Sequence, residues 1–154
     1  MKIKVELKPT AENLVKQFKG FEGILLTKLK EGILGYALLV QRGAMEEAPV
    51  DTGRLRASIS KGMRIHSGGL TAIIQPNVDY AYWVHQGTRP HIILPKNKKA
   101  LYWKGAEHPV RKVSHPGTKP NPFMIRGVKK YENEGYSYFL GKVDQAIKIL
   151  ATMK

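Results

Sequence analysis

The chain reads as an α+β protein: an antiparallel β-sheet packed by a long N-terminal helix and a C-terminal helix, with an extended basic β-hairpin or flap. Three observations predict it. Apolar residues recur every three or four positions at both ends of the chain, the signature of one apolar face on a helix. The middle alternates apolar and polar residues around Ser-Gly-Gly and Pro-Asn turn signals, as half-buried strands do. The cations then crowd into one stretch of that middle. At 154 residues the chain is read as a single domain, 1–154, long enough to bury a core without metal or disulfide. It divides into 1–47 (a strand and a long helix), 48–120 (the β-rich middle with its basic hairpin) and 121–154 (the C-terminal helical segment).

The first eight residues, Met1-Lys2-Ile3-Lys4-Val5-Glu6-Leu7-Lys8, alternate like a strand and not like a signal peptide. Pro9-Thr10 then opens a helix with Thr10 as its cap. Its apolar face is Leu14, Phe18, Phe21, Leu25, Leu29, Ile33, Ala37, Val40 and Ala44. Gly20, Gly23, Gly32 and Gly35 interrupt that face, each costing about 1 kcal/mol relative to alanine. A break or kink is expected near Gly20–Gly23. Gly32 and Gly35 mark either simple kinking or a place where another element, such as a neighbouring subunit, comes close.

Pro49 lacks a donor and pushes Ala48 out of helical geometry, so this helix must stop. Asp51 or Thr52 caps a short turn, and Gly53 tolerates dihedrals closed to other residues. Asp51 is read as a cap or an ion-pair partner of Arg54 or Arg56, not as a catalytic acid. Ile59, Lys61, Met63 and Ile65 then fall on one side of a strand. Ser67-Gly68-Gly69 turns the chain, Leu70–Gln75 returns it, and Pro76-Asn77 closes the hairpin. Tyr80–His85 is either a short helix or a strand. Tyr80, Tyr82 and Trp83 are either core, the simpler reading, or aromatic anchors of a subunit interface. His91–Leu94 and Ala100–Trp103 are expected to pair around a basic tip, Pro95–Lys99, with Val110–Val113 as a further strand; the whole forms a mobile flap. Asn121 caps the last helix, Pro122 suits its first position and Phe123 begins its apolar face. Gly135 is expected to break or bend it before Phe139, Leu140, Val143, Ile147 and Leu150 continue the stripe.

Lys and Arg number 26 against 12 acids, a formal +14. Arg89, Lys96, Lys98, Lys99, Lys104, Arg111, Lys112, Lys119, Arg126, Lys129 and Lys130 are opposed only by Glu107 in their stretch. Such a block attracts polyanions, whether DNA phosphates or an acidic partner. Lys96, Lys98, Lys99, Lys104, Arg111 and Lys112 are the candidate partner-facing residues. No helix-turn-helix, zinc finger or RNA-binding aromatic motif accompanies them.

Enzyme chemistry finds little support. The chain has no cysteine, which excludes thiol catalysis, zinc–thiolate sites and disulfides. His66, His85, His91, His108 and His115 lack metalloprotease spacing, although His85 and His91 could approach one another. The acids are not clustered to hold magnesium, and no Gly-x-Ser-x-Gly or phosphate loop is present. The apolar run Ile33–Val40 is too short to span a bilayer. A soluble, non-catalytic protein without cofactor or metal is expected.

Three blocks give a sharper expectation. They are Pro49-Val50-Asp51-Thr52-Gly53-Arg54-Leu55-Arg56-Ala57-Ser58, Tyr80-Ala81-Tyr82-Trp83-Val84-His85-Gln86-Gly87-Thr88, and His115-Pro116-Gly117-Thr118-Lys119-Pro120-Asn121-Pro122-Phe123. In this order and spacing they resemble a family of tailed-bacteriophage neck proteins, the tail-completion or head–tail joining proteins, also called minor tail components. The resemblance runs from about Ala44 to about Tyr131. It departs at His85, where an acidic residue would be expected. It implies a structural virion protein, assembled in the host cytoplasm, that joins tail to DNA-filled head as a homo-hexameric ring. Its implied partners are a head-closure or connector protein, a tail terminator or tube, and DNA in the channel by nonspecific contact. It gives architectural roles to Asp51, Thr52, Gly53, Leu55, Ser58, Tyr80, Gly87, Thr88, His115, Pro116, Gly117, Thr118, Pro122 and Phe123. The competing reading is a free-standing basic module that binds DNA without sequence preference.

Overall fold

A computed structural model describes residues 11–61, 64–66 and 71–152. The expected N-terminal strand, the Thr10 cap of the first helix and the Ser-Gly-Gly turn lie outside the described residues. Two long helices dominate: α1 (Ala11–Glu47) and α4 (Phe123–Thr152). They run antiparallel, since Gly32 of α1 meets Phe139 of α4 while Gly43 meets Gly127.

Neither helix breaks where its glycines suggested. α1 is continuous through Gly20 and Gly23, and α4 through Gly135. The glycines of the seam serve close approach instead. A Cβ on Gly35 would run into the Tyr138 ring, one on Gly135 into Tyr36, and one on Gly43 into the Gly127 carbonyl. Each missing side chain admits an aromatic ring or a backbone from the other helix, and that packing offsets the helical cost of glycine. Gly23 meets nothing within 4 Å, so at that position the cost stands unrelieved.

α1 stops at the Ala48-Pro49 junction as expected. Gly53 then adopts a left-handed φ of 76° and its carbonyl accepts the first bond of α2 (Arg54–Lys61), from Ala57 N at 2.9 Å. The expected strand from Ile59 is corrected here: residues 59–61 end a helix, and β1 (Arg64–His66) begins only afterwards. The alternation in 59–65 straddles the two elements. Ile59 is fully buried because it faces α1 from α2. β1 pairs antiparallel with β2 (Thr71–Ile73), Ile65 opposite Ala72.

Tyr80–His85 resolves as helix: α3 (Ala81–Gln86). One small core collects Ala44 of the first helix and Ala48 just beyond its end, Leu55 and Ile59 of the second, Ala81 of the third and Phe123 of the last. Phe123 and Ile59 are its large, fully buried members. Small alanines let four segments converge on one phenyl ring.

The basic flap is built differently from the expected hairpin. β3 (His91–Ile93) pairs with β4 (Val113–His115), not with residues 100–103. Leu101 instead bridges to Val110, with backbone bonds of 2.7 and 3.0 Å. The reversal therefore falls at 102–109, and Pro95–Lys99 forms a bulge along one side. Proline at 95 has no ladder donor, which ends β3 before the lysines can form a tip.

Candidate functional site: a glycine–threonine clasp beneath a basic flap

The second and third sequence blocks meet in a nearly symmetrical clasp. Thr88 and Thr118 form an isolated antiparallel bridge with reciprocal N–H to carbonyl bonds of 3.0 Å each. Their hydroxyls lie 3.1 Å apart. Each threonine follows a glycine with positive φ, 74° at Gly87 and 87° at Gly117. A Cβ on Gly87 would strike the Thr118 carbonyl, and one on Gly117 the Thr88 carbonyl. Both positions therefore need glycine twice over, for dihedral and for space.

Histidine fixes the turn. His115 Nδ1 accepts the Gly117 N–H at 3.0 Å, which rigidifies the His-Pro-Gly corner. The His91 ring stacks on it with centroids 5.0 Å apart, and His91 Nδ1 donates to the Arg89 carbonyl at 2.8 Å. His91 thus meets His115 across the β3–β4 ladder and not His85, whose ring packs edge-on against Phe123 at 5.6 Å. Beyond the clasp, Asn121 N reaches the carbonyls of Val84 and His85 at 3.2 Å each, closing the end of α3. The expected Asn121 side-chain cap is corrected: its Oδ1 accepts from the Arg126 guanidinium at 2.6 Å.

The first block lies across the same core. Leu55 and Ser58 are buried, and the Ser58 hydroxyl donates to the Leu55 carbonyl at 2.7 Å. Thr52 Oγ1 accepts a long 3.4 Å bond from Arg54 N. Asp51, Thr52, Gly53, Leu55 and Tyr80 line one shallow cleft of about 400 Å³, so blocks one and two share a surface. No ion pair joins Asp51 to Arg54 or Arg56 among the described residues. Arg56 donates instead to the Met45 carbonyl at 2.8 Å, where a cation suits the carbonyl end of α1. Pro122 immediately precedes α4, and Pro116 sits in the clasp turn.

Tyr82 and Trp83 correct the simpler expectation. They are 61% and 57% exposed, stack edge to face at 5.0 Å, and with Pro90 and Pro120 line a cleft of about 930 Å³ beside the clasp. Tyr80 is exposed as well. Above them Lys96, Lys98, Lys99, Lys104, Arg111 and Lys112 are all exposed, and none pairs with an acid among the described residues. Tyr102 and Trp103 stand exposed among these cations.

A group of polar contacts near the C-terminal end of α1 escaped sequence reasoning. Glu46 receives Arg42 and Lys130, each at 2.9 Å, and the Tyr131 hydroxyl at 3.0–3.1 Å. Lys130 and Arg42 hold the Glu46 carboxyl down to about 2. Glu47 receives Arg126 at 2.9 Å. Buried Gln41 donates to the Ile59 and Ser60 carbonyls at 3.1 and 3.2 Å, closing the end of α2. A glutamine between Ala37 and Ala44 on an apolar face was the available signal. Arg42 and Glu46 are one helical turn apart, whereas the pairs of Lys130 with Glu46 and of Arg126 with Glu47 join residues 79 or more apart and left no local signal.

This arrangement of clasp, clefts and solvent-facing cations offers surfaces and interlocks. Among the described residues no group of three or more His, Asp or Glu could hold a metal, and no helix is long and apolar enough to cross a membrane. Residues 24–87 match the model of the HK97-gp10-like family, described as "Bacteriophage HK97-gp10, putative tail-component". The match covers less than half of the chain. It takes in most of α1, the junction, the β1–β2 hairpin and α3, and ends at Gly87 of the clasp. Over that segment the chain is similar to a phage tail component, a structural and not a catalytic class. The third block, the flap and α4 lie outside it. No curated protein and no solved structure matches the chain.

Proposed function

We propose that this chain is a structural virion protein of the phage neck that completes the tail and joins it to the DNA-filled head as a homo-oligomeric ring. One observation carries the reading. The segment similar to a phage tail component supplies two of the three neck-protein blocks, and the third closes on them through the Thr88–Thr118 clasp and Phe123. On this reading the work is done by shape and interface complementarity. The exposed Tyr82–Trp83 cleft and the basic flap face neighbours: a connector or head-closure protein on one side, a tail terminator or tube on the other, with DNA in the channel between.

The test is a phage lacking this gene, complemented in trans. Filled heads and finished tails should accumulate unjoined, and the parent chain should restore infectious particles. Joined, infectious particles made without the protein would end this reading.

The unpaired cations of the flap favour a second reading, a nonspecific DNA-binding module. It requires the isolated chain to bind random duplex with steep salt dependence, because counterion release drives such binding. Lys98→Glu, Lys99→Glu and Arg111→Glu together should then abolish activity. Under the neck reading the same changes reduce particle yield only modestly.

A further inference from the structure

The clasp and the β3–β4 ladder are one antiparallel ribbon in one register. Thr88 opposes Thr118, and His91 opposes His115, so Pro90 falls directly opposite Pro116. The reciprocal bonds between Thr88 and Thr118 mark a hydrogen-bonded pair, and such pairs recur at every second position of an antiparallel ladder. The next pair due two bonds is Pro90–Pro116, and neither proline has an N–H to give. The pair after it, Ile92–Ser114, is the first that can carry them again. Two opposed prolines therefore leave a joint in the ribbon. On one side lies the clasp, held to the body through Asn121 and Phe123; on the other lies the flap.

The histidine pair occupies this joint. His91 and His115 face each other at a non-hydrogen-bonded pair, where side chains come closest, and their ring centroids lie 5.0 Å apart. Each Nδ1 holds backbone beside a proline. His91 Nδ1 donates to the Arg89 carbonyl at 2.8 Å, and His115 Nδ1 accepts the Gly117 N–H at 3.0 Å. The two bonds require opposite tautomers. His91 carries its proton on Nδ1 and can take a second on Nε2 with its bond intact. His115 carries its proton on Nε2, so a second must go to Nδ1, the atom that accepts from Gly117. Only His115 loses its bond on becoming charged.

We propose that this joint is a pH-operated hinge: neutral His115 locks the flap to the clasp, and its protonation at Nδ1 frees the flap to swing about the Pro90–Pro116 pair. The surroundings favour release. Arg89 and Tyr82 line the neighbouring cleft together with His91, and Lys112 and Lys119 flank the strand that carries His115. Glu107 is the only acid between Thr88 and Thr118, and it sits beside His108 at the far turn. Among the described residues no acid pairs with either histidine, so an imidazolium here meets cations and no counterion. The lock is complete while His115 is neutral. It is lost as pH falls through the range in which imidazole charges, about pH 8 to 5. The long helices α1 and α4 contain no histidine, and Glu46 keeps its charge down to about 2, so the helical pair holds over the same range. The inference stands independently of the neck reading.

Hydrogen exchange of the full chain, expressed as protection relative to intrinsic rates, is the test, run at about pH 7.5 and about pH 5. In the parent, protection across β3 and β4 should fall about fivefold at the lower pH, the weight of one hydrogen bond, while α1 and α4 keep theirs. His115→Asn decides the mechanism. Its Oδ1 can accept from Gly117 as in an Asx-turn and does not titrate, so the flap should stay protected at both pH values. His115→Ala should leave the flap weakly protected at both. A parent flap equally protected at the two pH values would overturn the proposal, as would an alanine variant matching the neutral parent. So would a fall that survives in His115→Asn, which would assign the response to His91 or to His85 against Phe123. Loss of protection in α1 in step with the flap would equally overturn it, because acid would then be loosening the whole fold.

Discussion

The α1–α4 pair and the clasp-and-flap region solve the same problem by different means. In the helical pair, glycines on one helix receive rings and backbone from the other, so cohesion is spread along the seam. The clasp concentrates it in two Gly-Thr turns, one histidine-fixed corner and a three-residue ladder. The pair has a periodic, distributed interface; the clasp has few contacts, each dependent on one dihedral. A single substitution should therefore weaken the first in proportion to volume, and should open the second locally without unfolding the rest.

Phe123 ties the two regions together, and its loss should have the largest effect. Phe123→Ala empties the site shared by α1, α2, α3 and α4, at a cost of about 3–5 kcal/mol, measurable by urea denaturation. Within the helical pair, Gly127→Ala sets a Cβ against the Ala44 backbone and should cost about 1–3 kcal/mol by overpacking. Its counterpart Gly23→Ala meets nothing and should stabilise by up to about 1 kcal/mol. Opposite signs from the same substitution in the two helices would establish that the seam, not helix propensity, sets the outcome. At the clasp, Gly117→Ala should abolish hydrogen-exchange protection at Thr88 and Thr118 while protection along α1 persists. Loss of protection in both regions at once would mean that clasp and helices open as one unit.

The smallest effect is electrostatic and exposed. Lys130 and Arg42 depress the Glu46 carboxyl to about 2, below the usual glutamate value of about 4.3. The folded state therefore releases this proton more readily than the unfolded chain. The contribution is present in full above the unfolded value and is lost as pH falls from about 4.3 through about 2. Melting temperature should decline over that window in the parent and less steeply in Glu46→Gln.

The same contrast governs what the sequence made legible. Helix spacing placed both long helices, and Pro49 the stop of the first, because these signals are local. Glycine misled: Gly20, Gly23 and Gly135 read as breaks because the cost is intrinsic, and for Gly135 the compensating Tyr36 lies far away in sequence. The flap register failed for a related reason. Ile92 pairs with Ser114, and no periodicity in 91–103 distinguishes that partner from a nearer one. Of the site residues, Gly87 and Thr88 belong to one sequence block and Gly117 and Thr118 to another; only the fold makes them one clasp. Tyr82 and Trp83 look like core by composition and line an open cleft instead, as interface aromatics do.

The most direct measurement is the native mass of the purified chain at high concentration across a range of salt. The account predicts one discrete, ring-sized species that persists at high salt, because buried apolar surface holds it together. A chain that stays monomeric at every salt concentration, and associates only with duplex DNA and only at low salt, would contradict it.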